Sequence, residues 1–234
     1  MAHTWSDTVR FLSEVKSSFQ TVGALVPSSH WVGQAFAKPT RRHTSTPGSR
    51  PVRILELGSG TGPLTSEVVK VMRPEDTLDA VEMSEKFADI LRRRFATEPH
   101  FQRVAANSRV HAINFLEMEI EQPYDFIVCS LPFNNFPPEL IRSIFRKMHG
   151  CLAPGGTLTF FEYLAIRHFR GLVSSPSGRA RLSRVARILG HYLERYEYER
   201  DVIWLNLTPA VAHHLSARGT ERKGSKRNGA RVRV

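Results

Sequence analysis

Three short segments of this 234-residue chain carry residue types and spacings that could do chemistry. The first is Glu56-Leu57-Gly58-Ser59-Gly60-Thr61-Gly62. Gly58 and Gly60 let the backbone turn sharply and approach a ligand without a Cβ in the way. The spacing is G-x-G-x-G, not the dinucleotide-binding G-x-G-x-x-G, and no Lys-Ser/Thr follows as a phosphate-cradling P-loop needs. Glu56, immediately before the loop, suits a cationic ligand end rather than a pyrophosphate. Glu82, 24 residues beyond Gly58, is placed to accept both hydroxyls of a ribose. In the second segment, Ile113-Asn114-Phe115-Leu116, the Asn114 oxygen can accept a hydrogen bond from a ligand and the Phe115 amide can donate one; a turn-closing Asn is the alternative. The third is Cys129-Ser130-Leu131-Pro132-Phe133. Its oxygens can accept hydrogen bonds, and the Phe133 ring offers a face that a positive charge can meet. A Phe133 packed in the core is the alternative.

The elements that must position these segments alternate. Strands are expected at Val52–Leu57, Leu78–Glu82, Val110–Ile113, Phe126–Ser130 and Thr157–Glu162. Helices are expected at Pro63–Val71, from Ser84 to about Phe95, and at Pro138–Leu152, with Arg-rich helical sequence over 164–190. Two last strands, Tyr192–Arg200 and Val202–Leu207, and a short helix from Pro209 complete the pattern. Such alternation predicts an α/β fold with a largely parallel sheet and helices on both faces, its ligand loop at the carboxyl end of the first strand. Ahead of it, Trp5, Val9, Leu12, Val15 and Phe19 make an amphipathic helix over 5–20, and Pro27 opens a second through about Ala37. Residues 38–50 (KPTRRHTSTPGSR) read as a basic linker.

The acid, the glycine loop and Glu82 together resemble the signature of the class I S-adenosylmethionine-dependent methyltransferases. The resemblance implies a Rossmann-like, seven-stranded, mostly parallel sheet, with S-adenosylmethionine held by Glu56, Gly58, Ser59, Gly60, Thr61, Gly62, Glu82, Met83, Asn114, Phe115 and Ser130. Ser130-Leu131-Pro132-Phe133 resembles the N/D/S-x-P-Y/F loop of the amino-group methyltransferases, which makes the acceptor a nitrogen. Four further segments resemble bacterial phospholipid N-methyltransferases over about residues 5–215: Gly23-Ala24-Leu25-Val26-Pro27-Ser28-Ser29, the Ser130 loop with Pro137-Pro138, Phe160-Phe161-Glu162-Tyr163, and Val202-Ile203-Trp204-Leu205-Asn206-Leu207-Thr208-Pro209-Ala210. That family methylates phosphatidylethanolamine stepwise to phosphatidylcholine, docking through its N-terminal amphipathic helix.

Charge places the partner. The net charge is +11, but residues 51–164 carry 12 basic and 15 acidic groups, and the basic excess lies in 1–50, 165–200 and 216–234. A slightly acidic body with basic flanks suits a cationic cofactor inside and an anionic lipid surface outside. Three parts are therefore expected: 1–50 as membrane contact and lid, 51–215 as the methyltransferase domain, and 216–234 as a basic tail. No apolar run is long enough to span a bilayer, and no secretory signal is read at the start. Cys129 and Cys151 cannot build a four-ligand zinc site, so no metal is expected. The expected setting is the cytoplasm, with a monomer peripheral on the inner membrane face.

In the expected mechanism a neutral amine attacks in line, so an ammonium must first lose a proton. Tyr163, Glu162, His168 or the lipid phosphate could take it, with Tyr163 favoured as headgroup positioner and Ser130 and Phe133 beside it. Leu131 and Pro132 would line the headgroup site, and Arg167, Arg170, Arg179 or Arg181 would clamp the phosphate. Two other functions are compatible with the same motifs: an rRNA adenine N6-methyltransferase, for which basic flanks would meet phosphates, and an inactive cofactor-binding adaptor. Against the first, a sheet running to Leu207 leaves no room for a helical RNA-binding domain.

Overall fold

The computed structural model describes residues 30–163, 176–204 and 209–217. The helix expected over 5–20, the residues around Arg167, His168 and Arg170, and the tail from 218 lie outside them, as do the side chains of Tyr163 and Arg179. Within them the chain runs α1 (His30–Thr44), β1 (Arg53–Leu57), α2 (Pro63–Val71), β2 (Thr77–Val81), α3 (Glu85–Thr97), a short α4 (Pro99–Gln102), β3 (Ser108–His111), β4 (Tyr124–Cys129), α5 (Pro138–Gly150), β5 (Leu152–Tyr163), α6 (Pro176–Tyr196), β6 (Glu197–Ile203) and β7 (Ala210–Ser216).

The seven strands form one sheet in the order β3-β2-β1-β4-β5-β7-β6. The first five are parallel; β7 is inserted antiparallel between β5 and β6. The chain leaves β1 toward β2 and β3, then returns to place β4 on the other side of β1. The crevice where the order reverses, above the carboxyl ends of β1 and β4, is where open α/β sheets bind ligands. The central strands are buried on both faces, which is why Ile54-Leu55 and Phe126-Ile127-Val128 are continuous apolar runs. On one face Leu55, Leu57, Ile127, Cys129, Leu158 and Phe160 meet α5 and α6. On the other, Ile54, Leu78, Ala80 and Val128 meet α1, α2 and α3. Both cysteines are buried and unpaired, and burial pushes the Cys129 thiol up to about 12.

Two expectations need correction. Residues 38–44, read as linker, continue α1 through Pro39. Lys38 Nζ donates to Asp201 Oδ1 at 2.5 Å and lies 2.9 Å from Glu199 Oε1, and Arg42 forks onto both Glu199 oxygens. These β6 partners, with burial of Ala37 and Thr40, offset the proline's lost backbone bond. The carboxyl end of the chain is also arranged differently. Residues 192–196 finish helix α6 instead of starting a strand, because Tyr192 and Tyr196, one turn apart, stack on Phe145 and His149 (centroids 4.5 and 4.4 Å). The helix expected from Pro209 is strand β7; of the strand expected at Val202–Leu207, Val202 and Ile203 end β6 and 205–207 lie outside the described residues. Ala210-Val211-Ala212-His213-His214-Leu215 lacks alternation because it is buried on both faces between two strands.

Candidate active site

The glycine loop is shaped by hydrogen bonds from its neighbours. Gly58, Gly60 and Gly62 have φ of 76°, 58° and 89°, the left-handed region that glycine adopts without a Cβ penalty. The Gly58 and Ser59 amides donate to the Val81 carbonyl (2.9 and 3.2 Å). The Glu82 carboxylate accepts from the Gly60 amide (2.9 Å) and from the Ser84 amide at the mouth of α3 (2.8 Å). From α3, Arg94 Nη1 donates to the Thr61 and Gly62 carbonyls (3.1 and 2.7 Å). A Cβ on Gly58 would stand 2.9 Å from Leu131 Cδ2 and 3.1 Å from Ser130 Oγ, so the glycine is needed for contact with the β4 loop. A Cβ on Gly60 would meet nothing nearer than 4.0 Å, which leaves that side of the loop open to a ligand.

Glu56 lies fully buried at the carboxyl end of β1, and neither of its oxygens has a hydrogen-bond partner. Burial pushes its carboxyl up to about 7; the nearby Thr65 hydroxyl and the Arg94 guanidinium pull the other way without prevailing. A buried, unsatisfied carboxylate beside an open glycine cradle is a costly arrangement for the protein alone. It fits a ligand with a positive centre. S-adenosylmethionine has two, a sulfonium and an amino group, together with a ribose for the carboxylate of Glu82, which offers about four lone-pair positions.

The β4 loop is tied to the same unit. The Ser130 amide donates to Leu57 O (3.0 Å), and its hydroxyl is 3.2 Å from that carbonyl and donates to Gly58 O at 2.7 Å. Ser130 therefore clamps the loops after β1 and β4 together, leaving its oxygen lone pairs for a ligand amine. Leu131 and Pro132 are half-buried at this junction. Phe133 requires a correction. Its ring is buried and packed against Phe136, Phe145 and Phe160 at 4.9–6.2 Å between centroids, so it is core rather than a face presented to a cation. At the end of β3, Asn114 closes a turn, its Oδ1 accepting from the Leu116 amide at 3.1 Å. Phe115 is buried under the Lys147 ammonium, 5.1 Å from its ring centroid. Met83 is half-buried, beside the Glu82 carboxylate that joins the glycine loop to α3.

Tyr163 is the last residue of β5, and Glu162 before it is buried. Glu162 Oε2 lies 3.4 Å from His213 Nε2, and His213 Nδ1 lies 2.6 Å from Glu197 Oε1. Arg181, expected as a phosphate clamp, holds the Asn135 carbonyl at 3.3 Å and so fastens α6 to the β4 loop. Arg94 and His213 were not anticipated. Arg94 is one of three consecutive arginines on a helix, and His213 sits in a stretch expected to be helical, so neither carried a local signal.

The architecture and the loop match known proteins. Residues 54–156 match a family model described as a methyltransferase domain. The ornithine lipid N-methyltransferase of Singulisphaera acidiphila is 34% identical over 151 residues, which cover 64% of this chain and 75% of that one. The ribosomal RNA small subunit methyltransferase A of a Synechococcus strain is 27% identical over 142 residues, covering 58% of this chain and 44% of that one. The crystal structure of the O-methyltransferase TomG of Streptomyces achromogenes, solved with S-adenosylmethionine, superposes with a TM-score of 0.58 at 16% identity, over 88% of this chain and 89% of that one. The strand order, the cradle above Gly60, the buried acid beneath it and these likenesses converge: the chain belongs to the class I S-adenosylmethionine-dependent methyltransferases.

Proposed function

We propose that the protein methylates the primary amine of a membrane lipid headgroup, with phosphatidylethanolamine as substrate and phosphatidylcholine as the end of a stepwise series. The carrying observation is the Ser130 clamp: a Ser-Leu-Pro-Phe acceptor loop is hydrogen-bonded onto the cofactor loop, so an amine held by its oxygens sits next to the methyl donor. Likeness to an enzyme named for ornithine lipid supports a lipid amine and makes ornithine lipid the second substrate to try.

S-adenosylmethionine, when bound, supplies the methyl group. Glu56, the open side of the Gly58–Gly62 loop and Glu82 would hold it. The chain's own contribution is orientation, worth several kcal/mol when reacting atoms are kept in line. Ser130 fixes the distance between donor and acceptor loops, and Glu162 and Tyr163 close the β5 side. Leu131 and Pro132 line the approach, and Arg167, Arg170 and Arg179 are assigned to the headgroup phosphate.

The same proposal places the carboxyl rim of the sheet on the inner surface of the cytoplasmic membrane, with the protein acting as a monomer, residues 1–50 making contact and 51–215 doing the chemistry. Two exposed tryptophans support this. Trp31 is 49% exposed at the start of α1, two residues before Gly33, which packs close to Leu64 and Glu67 in the first turns of α2. Trp204 is 55% exposed and directly follows β6, which runs parallel to β5 and so ends at the same rim. Tryptophan at such a rim inserts only to headgroup depth. No helix among the described residues is long and apolar enough to cross a membrane.

The test is radiolabelled methyl transfer to liposomes of phosphatidylethanolamine, to liposomes containing ornithine lipid, and to total RNA. Label on lipid alone is expected. Label on RNA alone would replace this function with the nucleic-acid reading.

A further inference from the structure

The amine reading requires a proton to leave before each transfer, and the residues around the acceptor loop do not by themselves say where it goes. The face of the sheet under α6 carries a row of charges for which the cofactor site has no use. Glu162 on β5, His213 on β7 and Glu197 on β6 are cross-strand neighbours, at 3.4 and 2.6 Å from the two imidazole nitrogens. All three are largely buried, with side chains 7–13% exposed. The row ends at Arg200, whose Nη2 is 3.1 Å from Glu197 Oε2 and whose side chain is 59% exposed. His213 stacks on Phe160, with centroids 5.1 Å apart and planes at 29°, and that ring fixes which way its nitrogens point. The α6 residues in the core of this face, Val185, Ile188 and Leu189, are apolar. Among the described residues, the ionic groups facing His213 are thus Glu162 from β5 and Glu197, backed by Arg200, from β6.

Resting on the amine N-methylation reading, we propose that His213 is a proton-storing residue behind Glu162, taking the proton that the substrate ammonium must lose, while Glu197 stabilises the imidazolium so formed. In the step, an ammonium N–H bond breaks with its electron pair left on nitrogen, and an O–H bond forms on Glu162. That O–H bond then breaks as an Nε2–H bond forms on His213. The imidazolium sits between two carboxylates, and the proton returns through Glu162 to water when the product leaves. Nδ1–H stays on Glu197 throughout, so the ring needs no reorientation between turnovers. Burial alone pushes the His213 pKa down; its bonds to Glu162 and Glu197 and their charges outweigh this and hold it above the ordinary value. Only neutral His213 can accept, so kcat falls on the acid side as His213 becomes protonated.

Two variants move this limb in opposite directions. Glu197→Gln removes a charge that raises His213 and shifts the acid limb of kcat to lower pH, by about one unit. Arg200→Ala, on an exposed side chain, frees Glu197 to act on His213 alone and shifts the limb upward. His213→Gln lowers kcat about 100-fold, within the range of general acid–base contributions, and leaves the affinity for S-adenosylmethionine unchanged. His214→Gln, on the opposite face of the same strand, leaves the limb in place. A structural role for the row predicts lost stability without opposed shifts. An active wild type whose limb ignores both Glu197→Gln and Arg200→Ala, or a folded His213→Gln enzyme with full kcat, overturns the His213 assignment and leaves the lipid reading standing. A wild type that methylates neither lipid overturns the lipid reading, and the assignment with it.

Discussion

The loops at the cofactor end of the sheet and its β5-β7-β6 edge are held by different chemistry. At the carboxyl ends of β1, β2 and β4 the ties run largely to main-chain atoms: Gly58 and Ser59 to Val81, Glu82 to two amides, Ser130 and Arg94 to loop carbonyls. Around β5, β7 and β6 they are side-chain ions and histidines. His213 meets Glu162 and Glu197 on the α6 face. On the α1 face His214 joins Thr159 at 2.9 Å to Asp201 at 3.1 Å, and Asp201 joins Lys38. A loop folded through its own main chain around a ligand site tolerates almost no change of shape. A sheet edge that must fasten a helix can do it with charges of many kinds.

Predictions that probe this difference run from steric to electrostatic. Gly58→Ala drives a Cβ to 2.9 Å from Leu131 in a left-handed backbone; S-adenosylmethionine affinity, measured by calorimetry, should fall by about 100-fold or more, while circular dichroism stays native. Asp201→Asn strikes the other half and should cost stability of about 1–3 kcal/mol at pH 7 in urea unfolding, by weakening the Lys38 clasp and leaving the buried His214 poorly partnered. Burial raises the Asp201 pKa, but its bonds to His214 and Lys38 outweigh that and hold it down at about 2. A depressed carboxylate stabilises above its unfolded pKa and loses this as pH falls through the folded one, so wild type and variant should converge between about pH 4 and 2. Glu56→Gln tests the orphaned acid. Its raised pKa, about 7, means that ionised Glu56 destabilises the ligand-free fold increasingly from about pH 4.5 to 7. The variant should therefore melt higher than wild type at pH 8 but not at pH 4.5, and bind S-adenosylmethionine more weakly. Equal affinity would remove Glu56 from the cofactor site. Ser130→Ala removes one hydrogen bond between loops and should be the mildest change, about 1 kcal/mol or a few-fold in cofactor affinity. A larger loss of cofactor affinity would mean that the hydroxyl also contacts the cofactor itself.

The cofactor half was readable because its requirements are local. A left-handed turn demands glycine at Gly58 and Gly60, and an acid ending β2 demands a carboxylate at Glu82, so residue type and spacing carry the geometry. The limits appear where a side chain has two plausible surroundings. Phe133 in Ser130-Leu131-Pro132-Phe133 reads as a ring facing an amine, with core as the alternative; contact with Phe145 and Phe160, distant in sequence, decides for the core. Asn114 likewise closes its turn. Arg94 carried no signal, because a carbonyl-clamping arginine looks like any solvated one until the loop it reaches is folded.

Determined by the sequence alone are the order of strands and helices from β1 through β5, the glycine loop with its flanking acids, and the family these imply, since each follows from periodicity or backbone stereochemistry within a few residues. Only the tertiary structure decided that residues 38–44 are helix and not linker, that 210–216 is a strand slotted between β5 and β6, and that His213 and His214 take separate partners on opposite faces. Those outcomes depend on ion pairs and burial between segments far apart in the chain, such as Lys38 with Asp201 and Glu162 with His213. No local pattern encodes them, because the energy that selects them exists only after the sheet has brought the partners together.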